Sequence, residues 1–220
     1  MTLRRDSYRV RHLCFMKIVC IGRNYAQHAA ELGNAVPSEP LFFFKPESAI
    51  LHKDHPFAIP EWTEDCHFEV EVIVRMDRAA KWIGEEHAGR CYTTVGLGLD
   101  FTARDVQSAL KAAGKPWEKA KAFDGSAVVS REFVPLEEMG GDIQDLSFSL
   151  LKNGETVQSG STAEMLFPVD ALIAHVSRYS TWKTGDLLFT GTPAGVGPVQ
   201  PGDRLEGRLE GRTMFEVDVV

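Results

Sequence analysis

Three carboxylates in two apolar segments could bind a divalent metal ion. Glu69 and Glu71 lie in the segment 67–74, which is rich in β-branched and aromatic residues and is typical of a strand. Side chains two positions apart on a strand point to the same face, so these carboxylates would lie side by side and repel each other. Asp100 follows in a second apolar segment, 95–101. Carboxylate oxygens suit Mg²⁺, Mn²⁺ or Ca²⁺.

The same pattern has an interpretation without a metal. A strand face open to water would tolerate Glu69 and Glu71 side by side, and Asp100 could cap a helix predicted over 103–113. Spacing alone favours this solvated face, because acidic strand faces are common and a motif match is only a hypothesis. Both interpretations stay open on these residues alone.

His28 and Glu31 form a candidate general base. They are three positions apart in the predicted helix 26–32 and would share one face. A carboxylate beside an imidazole orients the ring, and the pair could take a proton from water. The alternative is a solvent-exposed pair on a short helix. The catalytic interpretation gains from the preceding turn, Gly22-Arg23-Asn24-Tyr25, since strand-to-helix turns often bind anions.

Two further segments could bind anions. The segment 115–125 places three lysines among aromatic residues in a predicted loop, and one lysine could face a substrate carboxylate or enolate. The Gly-rich segment 190–197 offers backbone N–H groups and hydroxyls but contains no Walker motif. The alternatives are a solvated loop and a plain Gly/Pro turn.

The elements that must position these residues are mostly short strands. Other predicted elements are strands at 17–21, 41–45 and 186–190, a helix at 168–179, and hairpins around Asn153-Gly154 and Glu210-Gly211. Strands do not alternate regularly with helices, which disfavours a doubly wound parallel sheet. The predicted fold class is therefore β-rich α+β, with mixed, rolled sheets.

Composition narrows the functional classes. The chain has 220 residues and a net charge of -7, which disfavours a general nucleic-acid surface. Its four cysteines form no CxxC pair, so we expect reduced thiols and a cytoplasmic location. Since no apolar stretch approaches the about 20 residues of a membrane helix, we expect no membrane partner.

The first sixteen residues differ from the rest of the chain. Residues 1–16 hold four arginines and one acid, and a predicted strand begins directly after them, at Lys17. We expect a flexible N-terminal extension over 1–16, before one catalytic domain over 17–220. An Arg-rich transit peptide is the alternative.

Taken together, the motifs resemble the fumarylacetoacetate hydrolase superfamily, most closely its short acylpyruvate and fumarylpyruvate hydrolases. The resemblance runs from about Lys17 to the C-terminus. The motifs stand in the family's order: Gly22-Arg23-Asn24-Tyr25 with His28 and Glu31, Glu69-x-Glu71, Leu99-Asp100 with 102–107, Pro116-Trp117 with Lys121, and Thr190-Gly191-Thr192-Pro193 with Gly195-Val196-Gly197.

The resemblance implies a fold and a set of site residues. The fold is a mixed β-sandwich roll with short peripheral helices, usually assembled as a homodimer. The implied residues are the metal ligands Glu69, Glu71 and Asp100 for Mg²⁺ or Mn²⁺, the catalytic His28, Glu31 and Lys121, and the substrate-binding Arg23, Gln107 and Thr190.

The resemblance also implies an activity on small 2-oxo acids. The main expectation is a hydrolase of aromatic catabolism that cleaves acylpyruvates, such as fumarylpyruvate or acetylpyruvate, to pyruvate and a carboxylic acid. The alternative is an oxaloacetate keto–enol tautomerase or decarboxylase using the same metal site. These reactions need no attacking water, so a His28 variant would separate them from hydrolysis. A third possibility is a non-catalytic, metal-dependent 2-oxo acid binding protein.

Overall fold

The computed structural model describes residues 16–220, and three β-sheets dominate this part of the chain. The predicted extension at 1–16 therefore lies, except for Met16, outside the described residues. The strands are β1 Lys17–Gly22, β2 Leu41–Pro46, β3 Cys66–Phe68, β4 Val70–Arg75, β5 Thr94–Asp100, β6 Thr102–Ala103, β7 Ala127–Val129, β8 Val134–Pro135, β9 Ser147–Lys152, β10 Glu155–Ser161, β11 Leu187–Phe189, β12 Gly197–Pro198, β13 Arg204–Leu209 and β14 Arg212–Asp218.

The helices are short and lie between the strands. The α-helices are α1 Ala26–Glu31, α2 Glu85–Ala88, α3 Arg104–Ala112, α4 Glu118–Lys121 and α5 Val169–Tyr179. Single 3₁₀ turns lie at Glu47–Ala49, Gly89–Cys91, Leu136–Met139 and Thr162–Glu164. The helices predicted at 26–32, 103–113 and 168–179 are confirmed to within a residue or two. The predicted loop 115–125 instead contains α4.

The largest sheet has seven strands in the order β2-β1-β11-β4-β5-β7, with β8 also paired to β5. Only β1 and β11 run parallel among the strand pairs of the described residues. A second sheet has the order β10-β9-β13-β14, and a third has β12-β3-β6. The β-rich α+β prediction is confirmed, and so is the exclusion of a doubly wound parallel sheet.

Apolar side chains cover both faces of the largest sheet. On β4, Val70, Val72 and Val74 join the main core with β5, β9 and α5. Ile73 points to the opposite face and packs with Ile18 and Phe189 in a second cluster. Since Glu71 alternates with the valines, its carboxylate lies on the face of Ile73.

The strand predicted over 67–74 is broken at Glu69. β3 pairs with β6 in the three-stranded sheet, whereas β4 pairs with β5 in the largest sheet. The neighbouring β5–β6 segment breaks at Phe101, beside the same point, and Asp100 N donates to Glu69 O at 2.9 Å. Both segments therefore pass from one sheet to the other together, and the acids lie where they cross.

Gly98 permits the close approach of strands at this crossing. It pairs with Glu71 on one side and Val129 on the other. A Cβ atom here would clash with the carbonyl oxygen of Val128 and would lie 2.5 Å from Cδ1 of Ile73. The lack of a side chain at Gly98 therefore lets β5 and β7 lie close together. In residues 16–220, no helix is both long and apolar enough to span a membrane.

Candidate active site

The three predicted metal ligands come together in the structure. One carboxylate oxygen from each of Glu69, Glu71 and Asp100 lies within 4.8 Å of the others. These residues are only 4%, 1% and 1% exposed. The solvated acidic face that spacing alone favoured is therefore wrong. The residues occupy the β3–β4 break, the second position of β4 and the end of β5.

Two cations, one on α3 and one on α4, contact the three carboxylates. Lys121 on α4 is buried, and its Nζ donates to Glu69 Oε2 and Asp100 Oδ2, each at 2.8 Å, and to Thr102 Oγ1 at 2.6 Å. Burial lowers the pKa of Lys121, but Asp100 and Glu69 outweigh it and raise the pKa above its usual value. Arg104 at the start of α3 pairs with Glu69 Oε1. Lys121 therefore stays charged.

A third cation, Lys45, was not recognised as a site residue from the sequence. Its Nζ lies 2.7 Å from Asp100 Oδ1 and donates to Ser126 O and Oγ at 3.0 and 2.9 Å, and to the carbonyl oxygen of Lys121. Lys45 is 1% exposed. The sequence offers one indication, a single lysine at the end of an otherwise apolar predicted strand. It was interpreted only as the end of that strand.

Of the three carboxylates, Glu71 is the one whose negative charge is least neutralised by neighbouring cations. Its Oε2 accepts a hydrogen bond from Gly191 N at 2.8 Å, and no cation contacts it within the described residues. Burial raises its pKa well above the usual value, and Asp100 and Glu69 raise it further. For Glu69, burial also raises the pKa, but Lys121 and Arg104 reverse this and the net pKa is low.

Together, the three carboxylates of Glu69, Glu71 and Asp100 fit a hard divalent cation. The ammonium of Lys45 lies 2.7 Å from Asp100 Oδ1 and compensates the charge of that carboxylate. Glu71 has no such partner, because in the described residues only the amide of Gly191 donates to it. A buried carboxylate without a cationic partner is costly, so the group calls for a further cation beside Glu71. An all-oxygen donor set is what Mg²⁺ or Mn²⁺ prefers.

The predicted dyad is also formed. His28 Nδ1 lies 3.4 Å from Glu31 Oε2, and both Glu31 oxygens accept from Gly195 N at 3.1 and 3.3 Å. Burial lowers the pKa of His28, more than Glu69 and Glu31 raise it. His28 is therefore neutral near pH 7 and able to accept a proton.

The Gly-rich segment 190–197 serves the protein's own carboxylates. The Gly191 amide donates to Glu71, one of the three clustered carboxylates. The Gly195 amide donates to Glu31, the acid of the dyad. Gly195 has a φ of 97°, and a Cβ there would lie 2.6 Å from Val157 O. A residue with a side chain would therefore disturb the amide that orients Glu31.

A small cavity of about 40 Å³ joins these groups. Of the predicted substrate-binding residues, Arg23 and Gln107 line it, and Gln107 Oε1 accepts from Arg104 at 2.7 Å. The Thr190 hydroxyl donates instead to Val72 O at 2.9 Å, inside the sheet. Thr192, held by Gln158 at 2.9 Å, lines the cavity in its place. Side chains that sequence reasoning did not assign also line it, among them Arg104, Lys111, Asn34, Phe43 and Trp117.

Residues 17–220 match the family model described as fumarylacetoacetate (FAA) hydrolase C-terminal. The chain belongs to the fumarylacetoacetate hydrolase family. The fold expected from the resemblance is thereby confirmed. The buried trio, His28 and Lys121 line one cavity in this family member.

Several relatives cover almost the whole of this fumarylacetoacetate hydrolase family chain. Oxaloacetate tautomerase YcgM of Escherichia coli (strain K12) is 46% identical over 198 residues, which is 90% of each protein. The mitochondrial oxaloacetate tautomerase FAHD1 of Homo sapiens is 42% identical and covers 88% of this chain and 87% of its own.

A related solved structure contains a metal. Fumarylpyruvate hydrolase from Pseudomonas aeruginosa, in complex with Mn²⁺ and pyruvate, superimposes with a TM-score of 0.86 at 34% identity. The match covers 93% of this chain and 89% of that one. That hydrolase therefore shares the fold of this family member.

Proposed function

We propose that this protein is a divalent-metal-dependent oxaloacetate keto–enol tautomerase. The observation that carries the proposal is the buried Lys121 ammonium, which contacts two carboxylates of the metal group and lines the same cavity. This arrangement suits the enolate of a 2-oxo acid. The relatives named as oxaloacetate tautomerases support this reaction over hydrolysis, because they are more similar to the chain than the fumarylpyruvate hydrolase is.

Glu69, Glu71 and Asp100 would hold the metal, either Mg²⁺ or Mn²⁺. A bound metal ion of this kind supplies Lewis-acid chemistry and a template for the substrate's carboxylate and 2-oxo oxygens. Loading the site would compete with Lys121 for oxygens of Glu69 and Asp100. The Lys121 ammonium could then donate a hydrogen bond to the substrate.

Lys121 would stabilise the charge that develops on the substrate oxygen. Keto and enol oxaloacetate interconvert through an enolate, and a fixed cation in a buried site favours that charge strongly. Its raised pKa keeps the ammonium protonated, so it acts as a charge and not as a base. Arg104, fixed by Glu69 and Gln107, would hold the substrate's oxygens beside it.

Acylpyruvate hydrolysis is the second candidate, and the His28–Glu31 geometry favours it. A neutral, buried imidazole beside a carboxylate is a suitable base for activating water. Tautomerisation needs no such water, since its protons can exchange with solvent. The same cavity could therefore support both reactions, with the dyad required for hydrolysis alone.

A direct rate comparison tests the proposal. The full chain with Mg²⁺ is given enol oxaloacetate, and the ultraviolet absorbance of the enol is followed. Parallel assays measure decarboxylation of oxaloacetate and hydrolysis of acetylpyruvate. We expect ketonisation to be the fastest reaction and to disappear with EDTA or in Glu69→Gln. Ketonisation at the uncatalysed rate would contradict the proposal, and faster acetylpyruvate hydrolysis would favour the second candidate.

A further inference from the structure

Two cations at the cavity have no carboxylate partner in the described residues. Arg23 and Lys111 line the cavity beside Arg104. The ion pairs that the structure describes around the cavity are made by Lys45, Arg104 and Lys121. Arg23 and Lys111 therefore contribute positive charge that the metal-binding carboxylates do not neutralise.

Arg23 is held on an unusual turn. Its φ of 60° lies in the left-handed region, which is uncommon for a residue with a side chain and is found mainly where the surroundings enforce it. The next residue, Asn24, is buried and donates to Phe167 O and Thr190 O at 3.1 and 2.9 Å. Its Oδ1 accepts from Phe167 N at 2.9 Å. The turn that presents Arg23 is therefore fixed from several sides.

Lys111 lies in the last turn of α3 and lines the same cavity as Arg23. Its Nζ donates to Asn34 Oδ1 at 2.9 Å, just beyond α1. This neutral acceptor uses one of the three hydrogens of the ammonium and leaves its charge without a carboxylate partner. Burial lowers the pKa of Lys111, and the nearby Arg23 and Arg104 lower it further. The three cations thus repel one another until an anion lies among them.

A four-carbon 2-oxo diacid has a feature that matches this charge. Its C1 carboxylate and 2-oxo oxygen suit the metal, and its second carboxylate remains to be bound. We infer that Arg23 and Lys111 form a subsite for this distal carboxylate, and that the subsite selects dicarboxylic over monocarboxylic 2-oxo acids. The inference rests on the proposed function for the position of the other end of the substrate.

A matched pair of stable ligands tests the subsite without turnover. Malate and 2-hydroxybutyrate share a carboxylate beside a hydroxyl, and differ mainly in a terminal carboxylate in place of a methyl group. Their binding to the Mg²⁺-loaded full chain is measured by calorimetry. We expect the wild type to prefer malate. Lys111→Gln should weaken malate about tenfold, the typical effect of losing a charge-assisted hydrogen bond, and leave 2-hydroxybutyrate unchanged.

Two variants serve as controls. Lys115→Gln removes an exposed lysine four residues further along the chain and should change neither affinity. Lys111→Arg keeps the charge and should keep the preference for malate. A wild type without preference for malate would overturn the inference, and so would Lys111→Gln weakening both ligands equally or neither.

The outcome is separable from that of the proposed function. If Lys111→Gln selectively weakens malate but the wild type does not ketonise oxaloacetate, the subsite stands and the tautomerase proposal fails. If ketonisation is observed and Lys111→Gln changes neither malate binding nor the KM for oxaloacetate, the tautomerase proposal stands and the subsite fails.

Discussion

The ammonium of Lys45 lies 2.7 Å from Oδ1 of Asp100, and both residues are 1% exposed. The same ammonium donates to carbonyl oxygens of Lys121 and Ser126. Lys45 on β2 therefore ties a predicted metal ligand at the end of β5 to the end of α4. A buried cation with this many partners orients both Asp100 and the backbone that carries Lys121.

Removing this ammonium should destabilise the protein. In Lys45→Met the carbonyl oxygens of Lys121 and Ser126 lose a buried donor, and Asp100 loses its ion-pair partner. Breaking a buried ion pair by removing one partner costs about 3 kcal/mol or more. The measurement is urea unfolding of the metal-free protein, with Lys53→Met as an exposed control. An unchanged unfolding midpoint would show that Lys45 does not orient the site.

Glu71→Gln should remove metal binding without weakening the metal-free protein. Burial and two neighbouring carboxylates raise the pKa of Glu71, so a neutral side chain relieves repulsion there. We expect the melting temperature without metal to be equal or higher. The rise in melting temperature on adding Mg²⁺ should vanish, since only binding to the native state produces it. Activity should fall by about 100-fold or more, because a ligand is worth at least as much as its supporting contacts.

The control for this experiment is Glu155→Gln, an exposed glutamate at the start of β10. It should keep both the Mg²⁺-dependent rise and the activity. A Glu71→Gln protein that melts lower without metal, yet still gains stability with Mg²⁺, would place the metal elsewhere.

Gly98→Ala should be severely destabilising. A Cβ atom would meet the carbonyl oxygen of Val128, which is backbone and cannot rotate away. Overpacking at such a position costs at least about 2 kcal/mol. Gly22→Ala is the control, because its nearest side-chain contact would be an ordinary 3.4 Å from Leu41. Equal urea midpoints for the two variants would contradict this account of the β5–β7 contact.

The sequence was sufficient for much of the fold and for the three carboxylates of the candidate metal site. Two acids on one β-rich segment and a third at the end of another are local patterns, and motif order then decided between a metal and a solvated face. The short helices and the hairpins were likewise predicted from residues that are close together in the sequence. What these patterns could not predict is how the segments are joined across sheets.

Three cases illustrate that limit. Glu69 interrupts what looks like one strand, because β3 and β4 pair in different sheets. Lys45 looks like a strand end, and only the tertiary contact with Asp100 shows its role. Thr190 and Thr192 belong to one motif, and the sequence does not show which of them faces the cavity. In the structure the Thr190 hydroxyl donates to Val72 O, inside the sheet. Each depends on contacts between residues far apart in the chain.

The pH dependence of hydrolysis should reflect the lowered pKa of His28. Burial moves this pKa below its ordinary 6.5, so the neutral base persists into mildly acidic solution. We expect kcat/KM for acetylpyruvate to fall on the acid side with a midpoint below 6.5. For stability, the contribution of neutral His28 is complete above 6.5 and is lost as the pH falls toward the folded-state pKa. An acid limb at or above 6.5 would contradict this.

His28→Asn should separate the two candidate reactions. Hydrolysis needs a base to activate water, and losing a general base costs about 100-fold or more. Ketonisation relies on the metal site and Lys121, so it should stay within about tenfold of the wild-type rate. The measurement compares both rates at saturating Mg²⁺ for His28→Asn and for Lys121→Met, which should lose both reactions. If His28→Asn loses ketonisation as completely as hydrolysis, the histidine belongs to the proton transfer of the tautomerase itself. If it keeps hydrolysis, the dyad has no role in activating water.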